Sequence, residues 1–494
     1  QKVIHNGCQA IVLIPEIALT HQTLARFRAA FPDRITILHS RMSAGERYDQ
    51  FMRIYRHEVD IVIGPRSALF VPFDRLGLIV MDEEHENSYQ SEKNPTYHAR
   101  DVAAERARRA GASLILGSAT PSVKSYYQAM NGKYRLIRLS HRASGADRPS
   151  VYVVDLRDEL KAKNRSIFSR LLHEKIRDRL DRHEQIMLFI NRRGYAGFVS
   201  CRSCGYVIKC SHCDVSMTEH GRQSRNPRLI CHYCGDTAPM PSVCPSCGSP
   251  YIASFGMGTE KVCELAKKEF PDARIIRMDA DTTRNKDGHE RILSVFREHG
   301  ADILVGTQMI AKGHDIGNVT LVGAIAADMS LYQDDYRSFE RTYQLLEQAG
   351  GRSGRSSKPG EFIIQTYNPD SYCIEAVASD RPDFFYESEL SFRRLAGYPP
   401  YRELMKIRIS SEDEKKASEA GVMIDKWIRG SARDEIVTIG PAPEKISFVG
   451  DRFRYSLFVK TENANTMDGV ISMVTENINN TGMNRNVSVI FERT

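Results

Sequence analysis

The sequence predicts an α/β chain of two lobes, each built on a parallel sheet. A metal-binding insertion interrupts the second lobe, and a small α+β domain follows it. Three observations carry this. Short, continuously apolar runs alternate with helical stretches over residues 10–140, and the pattern restarts at 151; such runs between helices indicate parallel strands covered on both faces. Eight of the 11 cysteines fall between 201 and 247 as four C-x-x-C pairs. From about residue 380 the character changes to strand-like runs around two helices.

In the first lobe "AIVLIPE", "ITILH", "DIVIG", "LGLIVMDEE", "SLILGSAT" and "YRLIRL" read as strands, and residues 17–30 and 98–110 as helices. In the second, the strands are "VYVVDL", "QIMLFIN", "RIIRMD", "DILVGTQ", "LVGAIAAD" and "FIIQTY". The cysteine segment breaks this set after "LFINRRGYAGFVS", and the set resumes at "FGMGTEKV". The last region reads "LMKIRIS", a helix near 413–428, "EIVTIGPA", "YSLFVK", a helix near 465–478 and "VSVIFE". The expected domains are 1–145, 146–200 with 251–375, 201–250, and 380–494.

A length of 494 residues suits about three domains. The net charge of +7 permits a nucleic-acid partner without requiring one. No run approaches the roughly 20 apolar residues of a membrane span, and no secretory signal is visible at the start. The chain opens on Gln1 and soon enters a strand, so it reads as a piece whose start is missing.

One apolar run ends abruptly in Asp82, Glu83, Glu84 and His85. Carboxylates at the C-terminal end of a parallel strand sit in the ligand crevice. Asp82 is placed there to hold Mg²⁺, and Glu83 to orient or deprotonate a water attacking a γ-phosphate. A solvated acidic loop would explain the letters alone. Other pieces in fixed order sharpen the signal. "GSATPS" follows the next strand. "VGTQMIAKGHDI" brings Thr307, Gln308 and Lys312 towards phosphate or nucleic-acid backbone. "QLLEQAGGRSGR" carries Gln348, Arg352 and Arg355 on an expected helix start, where arginines three apart share a face. No G-x-x-x-x-G-K-[ST] string, the loop that cradles phosphates, occurs in the chain.

The cysteine pairs are Cys201/Cys204, Cys210/Cys213, Cys231/Cys234 and Cys244/Cys247. Each knuckle supplies two soft ligands, so four make two closed, structural Zn²⁺ sites, with iron–sulfur as the alternative. Gly205, Gly235 and Gly248 suit the tight turn after a knuckle. Spacing allows sequential or interleaved pairing. Lys209, Arg222, Arg225 and Arg228 nearby form either a phosphate-binding or a solvated basic face. Cys8, Cys263 and Cys373 read as core residues. In the last region Arg452, Arg454 and Lys460 alternate with Phe448, Phe453 and Tyr455, which suits a nucleic-acid surface or an ordinary amphipathic strand.

Together "LIPEIALTHQ", "GPRSALFVPF", "DEEHENSY", "YHARDVAAERA", "GSATPS", "GTQMIAKGHDI", "ERTYQLLEQAGGRSGR", "IQTYNPD" and the eight-cysteine insertion resemble superfamily 2 helicases, and within them the PriA family of replication restart helicases (primosomal protein N′). The resemblance covers nearly the whole chain. It implies two RecA-like lobes, the first truncated, with an inserted two-zinc module and a small C-terminal DNA-binding domain. It implies an ATP-dependent 3′→5′ DNA helicase of the bacterial cytoplasm, using Mg²⁺ and ATP. Such a protein recognises stalled replication forks and initiates primosome assembly. Its partners would be forks, single-stranded DNA, primosome proteins and single-strand-binding proteins, with no membrane. Asp82, Glu83, Glu84 and His85 would form the catalytic box, and Gln348, Arg352 and Arg355 would meet the nucleotide. Thr307 and Lys312 would couple to DNA, with Tyr89 and Tyr97 stacking on bases from an aromatic-rich loop. The zinc sites would interleave, the first pair with the last and the second with the third. In the family the phosphate loop lies shortly before "AIVLIPE", in a part this chain does not have, so weak or no ATPase is expected here. The competing reading is a non-catalytic zinc-bearing DNA and primosome scaffold. Small departures from the family pattern stand at Pro65, at 315–318 and at Gly350.

Overall fold

A computed structural model describes residues 1–15, 21–39, 42–91, 95–139, 148–190, 198–212, 216–220, 227–254, 258–279, 281–283, 288–310, 318–332, 335–354, 358–431 and 435–493. The chain divides into two compact units, residues 1–134 and, principally, 135–492. Among the described residues no helix is long and apolar enough to cross a membrane.

The first unit is a parallel sheet of β1 (Gln9–Leu13), β2 (Ile35–Ile37), β3 (Ile61–Gly64), β4 (Leu76–Met81) and β5 (Ser113–Leu116), in the order β2-β3-β1-β4-β5. Its helices are α1 (Lys2–His5), α2 (His21–Ala30), α3 (Ala44–Tyr55), α4 (Ala99–Ala110) and α5 (Val123–Met130). The period-2 geometry of a strand sends alternate residues to opposite faces. Ile11 and Leu13 pack with Ile54, Tyr89, Ala99 and Ala103. Ala10, Val12 and Ile14 pack with Leu24 and Phe27 on the other face. Continuously apolar strands are thus explained by burial on both sides. Ser43 opens α3 with a capping box closed by Glu46. The expected strand "YRLIRL" does not form. Leu136, Ile137 and Leu139 are 41%, 74% and 92% exposed, and no sheet edge takes the segment up; a strand-like pattern needs a ladder to become a strand.

The second unit begins with β6 (Ser150–Asp155), α6 (Leu156–Lys161), α7 (Arg170–Asp181) and β7 (Gln185–Phe189). The insertion carries β8 (Val199–Cys201), β9 (Thr218–His220), β10 (Arg228–Ile230), β11 (Thr237–Pro239) and β12 (Ile252–Ser254). β8 and β12 pair antiparallel, which brings the two ends of the insertion together and lets the lobe continue undisturbed. It resumes with α8 (Thr259–Glu269), β13 (Ile275–Met278), α9 (Gly288–Arg297), β14 (Ile303–Gly306), β15 (Val319–Ala324), α10 (Asp328–Leu331), α11 (Ser338–Gly350), β16 (Glu361–Thr366), α12 (Tyr372–Ala378) and α13 (Pro382–Ala396). The six expected strands form one parallel sheet, β13-β14-β7-β15-β16-β6.

The remaining sheet holds β17 (Glu403–Ser411), β18 (Val437–Val449), β19 (Arg452–Thr461) and β20 (Ser488–Arg493), in the order β18-β19-β17-β20. α14 (Glu414–Gly430) and α15 (Ala464–Thr481) share one core with Met405, Ile407, Ile409, Leu457 and Val459. These alternate along β17 and β19, so a single face of the sheet carries the helices.

Candidate functional site

The acidic box begins where β4 stops. The Asp82 amide donates to the Leu13 carbonyl of β1 at 2.9 Å. Glu83 then takes φ +48°, a left-handed conformation uncommon outside glycine, and its amide donates to Asp82 Oδ1 at 3.0 Å. The turn carries the chain towards "GSATPS": the Glu84 amide donates to the Gly117 carbonyl at 3.1 Å, and the Gly117 amide to the Met81 carbonyl at 2.8 Å. His85 Nδ1 lies 2.7 Å from Ser118 Oγ and 3.6 Å from Glu83 Oε2. Burial raises the Asp82 carboxyl above its ordinary value, with the Glu83 amide and His85 acting against it. A divalent cation at these oxygens would act in the opposite direction, favouring the charged carboxylate.

Glu84 is arranged differently. It is 1% exposed. Its Oε1 accepts the Ser122 amide at 2.5 Å. Its Oε2 accepts from Arg100 Nη1 at 3.2 Å, the Ser125 hydroxyl at 2.9 Å and the Ser122 hydroxyl at 3.2 Å. The same Arg100 Nη1 donates to both serine hydroxyls at 2.9 Å. The carboxylate therefore ties β4 to the starts of α4 and α5. Sequence reasoning did not single out Arg100, Ser122 or Ser125. One signal was there: a cation in the first turn of a helix opposes the helix dipole and needs an acid nearby.

Tyr89 overturns the expectation of base stacking. It is 1% exposed within the lobe core, and its hydroxyl donates to the Asp82 carbonyl at 2.7 Å. Burial, then Asp82 and Glu86, push its pKa upward. A ring enclosed on both sides has no face left for a base. Tyr97 is half-buried and meets Phe70 edge-on, centroids 5.5 Å apart. Phe70, 58% exposed, is an aromatic that the sequence pattern had left unremarked. The stretch after Tyr89 is closed by a Gln90–His98 bridge and by the Ser91 amide on the Tyr97 carbonyl at 2.8 Å. Arg66 Nη1 holds its base through the carbonyls of Ser88 (2.9 Å) and Gln90.

In the second unit Thr307 follows β14, its carbonyl accepting the Ile310 amide at 3.0 Å. Gln348 lies in the last turn of α11, and Arg352 just beyond it. The expected helix start at 344–355 is thus a helix end. Gly350 and Gly351 follow each other there, and Gly354, at φ +67°, turns onto Gly360, where a Cβ would lie 2.7 Å from the Gly360 nitrogen. The shared-face argument for the arginines fails, because Arg352 stands past the helix. Gly350, one of the expected departures, is closely packed: a Cβ there would lie 2.8 Å from Phe362 Cδ1, so the ring would have to shift. Lys312, Arg355 and Cys213 lie outside the described residues.

The cysteines gather as the interleaved arrangement requires. Cys201, Cys204, Cys244 and Cys247 form one group, and Cys210, Cys231 and Cys234 another. Sulfur–sulfur distances are 3.7 Å for Cys201–Cys247 and Cys204–Cys244, and 3.6 Å for Cys210–Cys234. A disulfide needs about 2.05 Å. A tetrahedron with Zn–S near 2.3 Å has edges of about 3.8 Å, so the residues fit zinc. The three fully described knuckles share one turn. The amides of Gly205, Gly235 and Gly248 donate to the carbonyls of Cys201, Cys231 and Cys244 at 2.8–2.9 Å, each glycine at positive φ.

Lys460 does not belong to a nucleic-acid surface. It is 8% exposed, its Nζ 3.7 Å from the Tyr398 ring centroid and donating to the Ala396 carbonyl at 3.0 Å. Asp328, unnoticed in the sequence, is buried at the start of α10, beyond β15. It accepts the Thr366 hydroxyl at 2.9 Å and the Tyr367 amide at 2.8 Å, and burial pushes its pKa up to about 6.

The fold and sites define a class: a helicase-type chain of two α/β lobes with a cysteine-rich insertion. Family models agree. They match DEAD/DEAH box helicase at residues 1–129, helicase conserved C-terminal domain at 252–357, PriA DNA helicase Cys-rich region at 210–239 and primosomal protein N C-terminal domain at 394–491. Replication restart protein PriA of Bacillus subtilis is 45% identical over 476 residues, covering 96% of this chain and 59% of that protein. The Treponema pallidum protein of that name is 37% identical over 461 residues, covering 93% and 69%. That of Rickettsia felis is 36% identical over 455, covering 92% and 69%. The chain belongs to the replication restart protein PriA family. It spans 59% of the Bacillus relative and 56% of the Synechocystis one.

Proposed function

We propose that this chain is the motor and C-terminal part of an ATP-dependent 3′→5′ DNA helicase that acts at stalled replication forks in the cytoplasm and starts primosome assembly. The observation that carries the reading is the Asp82–Glu83 turn at the end of β4, bonded to "GSATPS" on one side and to Tyr89 on the other. Asp82 would hold Mg²⁺, and Glu83 would orient the attacking water. Bound Mg²⁺ supplies charge neutralisation at the phosphates. Glu84 acts as a positioning residue through Arg100, and His85 links the box to Ser118. Gln348, Arg352 and Arg355 would meet the triphosphate. Tyr97, Thr307 and Lys312 would face DNA. Tyr89 would act on the box through its hydrogen bond to the Asp82 carbonyl rather than by stacking. The cysteine groups would hold two structural zinc ions. Fork DNA, single-stranded DNA, primosome proteins and single-strand-binding proteins are the partners that follow.

Without a phosphate-cradling lysine loop, the chain by itself should turn over ATP weakly or not at all. Steady-state hydrolysis with single-stranded DNA measures this; turnover that Glu83→Gln abolishes would refute it. Sequencing the coding DNA upstream of Gln1 tests the larger reading. A G-x-x-x-x-G-K-[ST] string within roughly 25 residues supports a motor. A start codon or unrelated sequence there favours the scaffold.

A further inference from the structure

The second cysteine group sits against the C-terminal domain. Tyr233 lies between its ligands Cys231 and Cys234. It is 4% exposed and stacks on Phe458 of β19, ring centroids 4.4 Å and planes 9° apart. Gly235, ending the knuckle, would place a Cβ 3.5 Å from that of Ala442 on β18. Gly440, at φ +99°, brings β18 so near that its own Cβ would lie 3.2 Å from the Tyr233 carbonyl. His232 Nδ1 is 3.3 Å from the Pro443 carbonyl. The other end of the insertion sits against the second lobe. A Cβ on Gly205 would lie 2.6 Å from the Tyr367 carbonyl, the residue whose amide Asp328 holds. The Ser216 hydroxyl donates to the Tyr332 carbonyl at 2.7 Å, and Phe198 packs on the Tyr332 ring, centroids 5.2 Å apart.

We propose that the second zinc ion is the clasp that fixes the C-terminal domain to the second lobe, with Tyr233 and Phe458 as its two faces. The knuckle holds Tyr233 by its neighbours on both sides, so ligation by Cys231 and Cys234 sets where the ring stands. The strands flanking it, β9, β10 and β11, are three residues each. Among their nine residues Leu229 is the one buried apolar side chain, so the strands by themselves hold the ring weakly. Loss of the ion therefore releases Tyr233 from Phe458. The domain is then held by the chain crossing at 397–402 and by Lys460 on Ala396 and Tyr398. Tyr398 stacks in turn on Tyr336, centroids 4.8 Å apart, two residues before α11. Arg393 of α13 bonds Glu340 of α11 at 2.6 Å. The clasp thus sets the C-terminal domain against the helix whose last turn carries Gln348.

The inference rests on the zinc reading of the cysteine groups and needs neither nucleotide nor DNA. Trp427, the one tryptophan of the sequence, lies on α14 inside the C-terminal domain. Its time-resolved fluorescence anisotropy reports whether that domain tumbles with the chain or apart from it. With two zinc ions counted per chain, the native protein should show the slow decay of the larger body. Tyr233→Ala, still holding two ions, should gain a component several-fold faster, as a domain of some 90 residues requires, and metal-stripped native chain should gain the same. Tyr233→Phe should keep the slow decay. A slow decay retained by both the alanine variant and the stripped chain would overturn the clasp. A native chain that holds no zinc would instead overturn the metal reading beneath it.

Discussion

The acidic box and the cysteine module solve the same problem in opposite ways. Each must hold charged or reactive groups at fixed distances. At the box the protein itself supplies every support: Glu84 is buried, and its oxygens accept from Arg100, Ser122 and Ser125, on a lobe whose sheet is covered on both faces. In the module the described sulfurs stand 3.6–3.7 Å apart, the spacing that a zinc tetrahedron requires. The box is a property of a packed core; the module, on the proposed reading, is a property of an ion.

The largest effect should come from breaking the ion. Stripping zinc, or Cys244→Ser, removes stabilisation on the order of 10 kcal/mol from the module. Proteases should then cut between 201 and 250, as chelator-released metal is counted, while the first unit melts as before. A first unit that lost stability in step would end the contrast. Next is the box's own support. Glu84→Ala leaves Arg100 buried without its acid and should cost about 3–5 kcal/mol, seen as a lower Tm with the zinc count unchanged. A shift under about 1 kcal/mol would mean that Glu84 is not structural.

Asp82 tests the opposite sign. Burial raises its carboxyl pKa, so the stability it contributes is present below its unfolded value, near 3.9, and is lost as pH rises through the folded one. Asp82→Asn should therefore raise Tm at neutral pH, while removing the proposed Mg²⁺ ligand. An unchanged or lower Tm would show that the site is already charged at no cost. The smallest effect is at Glu83, whose φ of +48° favours glycine; Glu83→Gly should stabilise by less than about 1 kcal/mol, measurable by urea melts.

These effects follow the limits of what could be read from the sequence. The box stood out because three acids after an apolar run have no packing role in a strand. Its division of labour did not, because Glu84 and Glu83 are the same letter, and only the approach of α4 and α5 makes one a support. Tyr89 read as a stacking ring because aromatics near a DNA loop suit that use, yet the hydrogen bond to Asp82 requires it inside. "YRLIRL" failed as a strand because periodicity records a preference and not a partner. Lys460 alternated correctly with aromatics on β19, but the face it shares is occupied by Tyr398.

By itself the sequence determined the two parallel sheets, the split second lobe, the four C-x-x-C pairs, three of them followed by glycine, and the acids at the end of β4. All of these are local: period, turn conformation and ligand spacing are properties of a few consecutive residues. Tertiary structure alone decided that Glu84 is held by Arg100 and that Tyr233 rests on Phe458. In each case the deciding partner lies far along the chain, and burial, which no short pattern records, sets what the side chain can do.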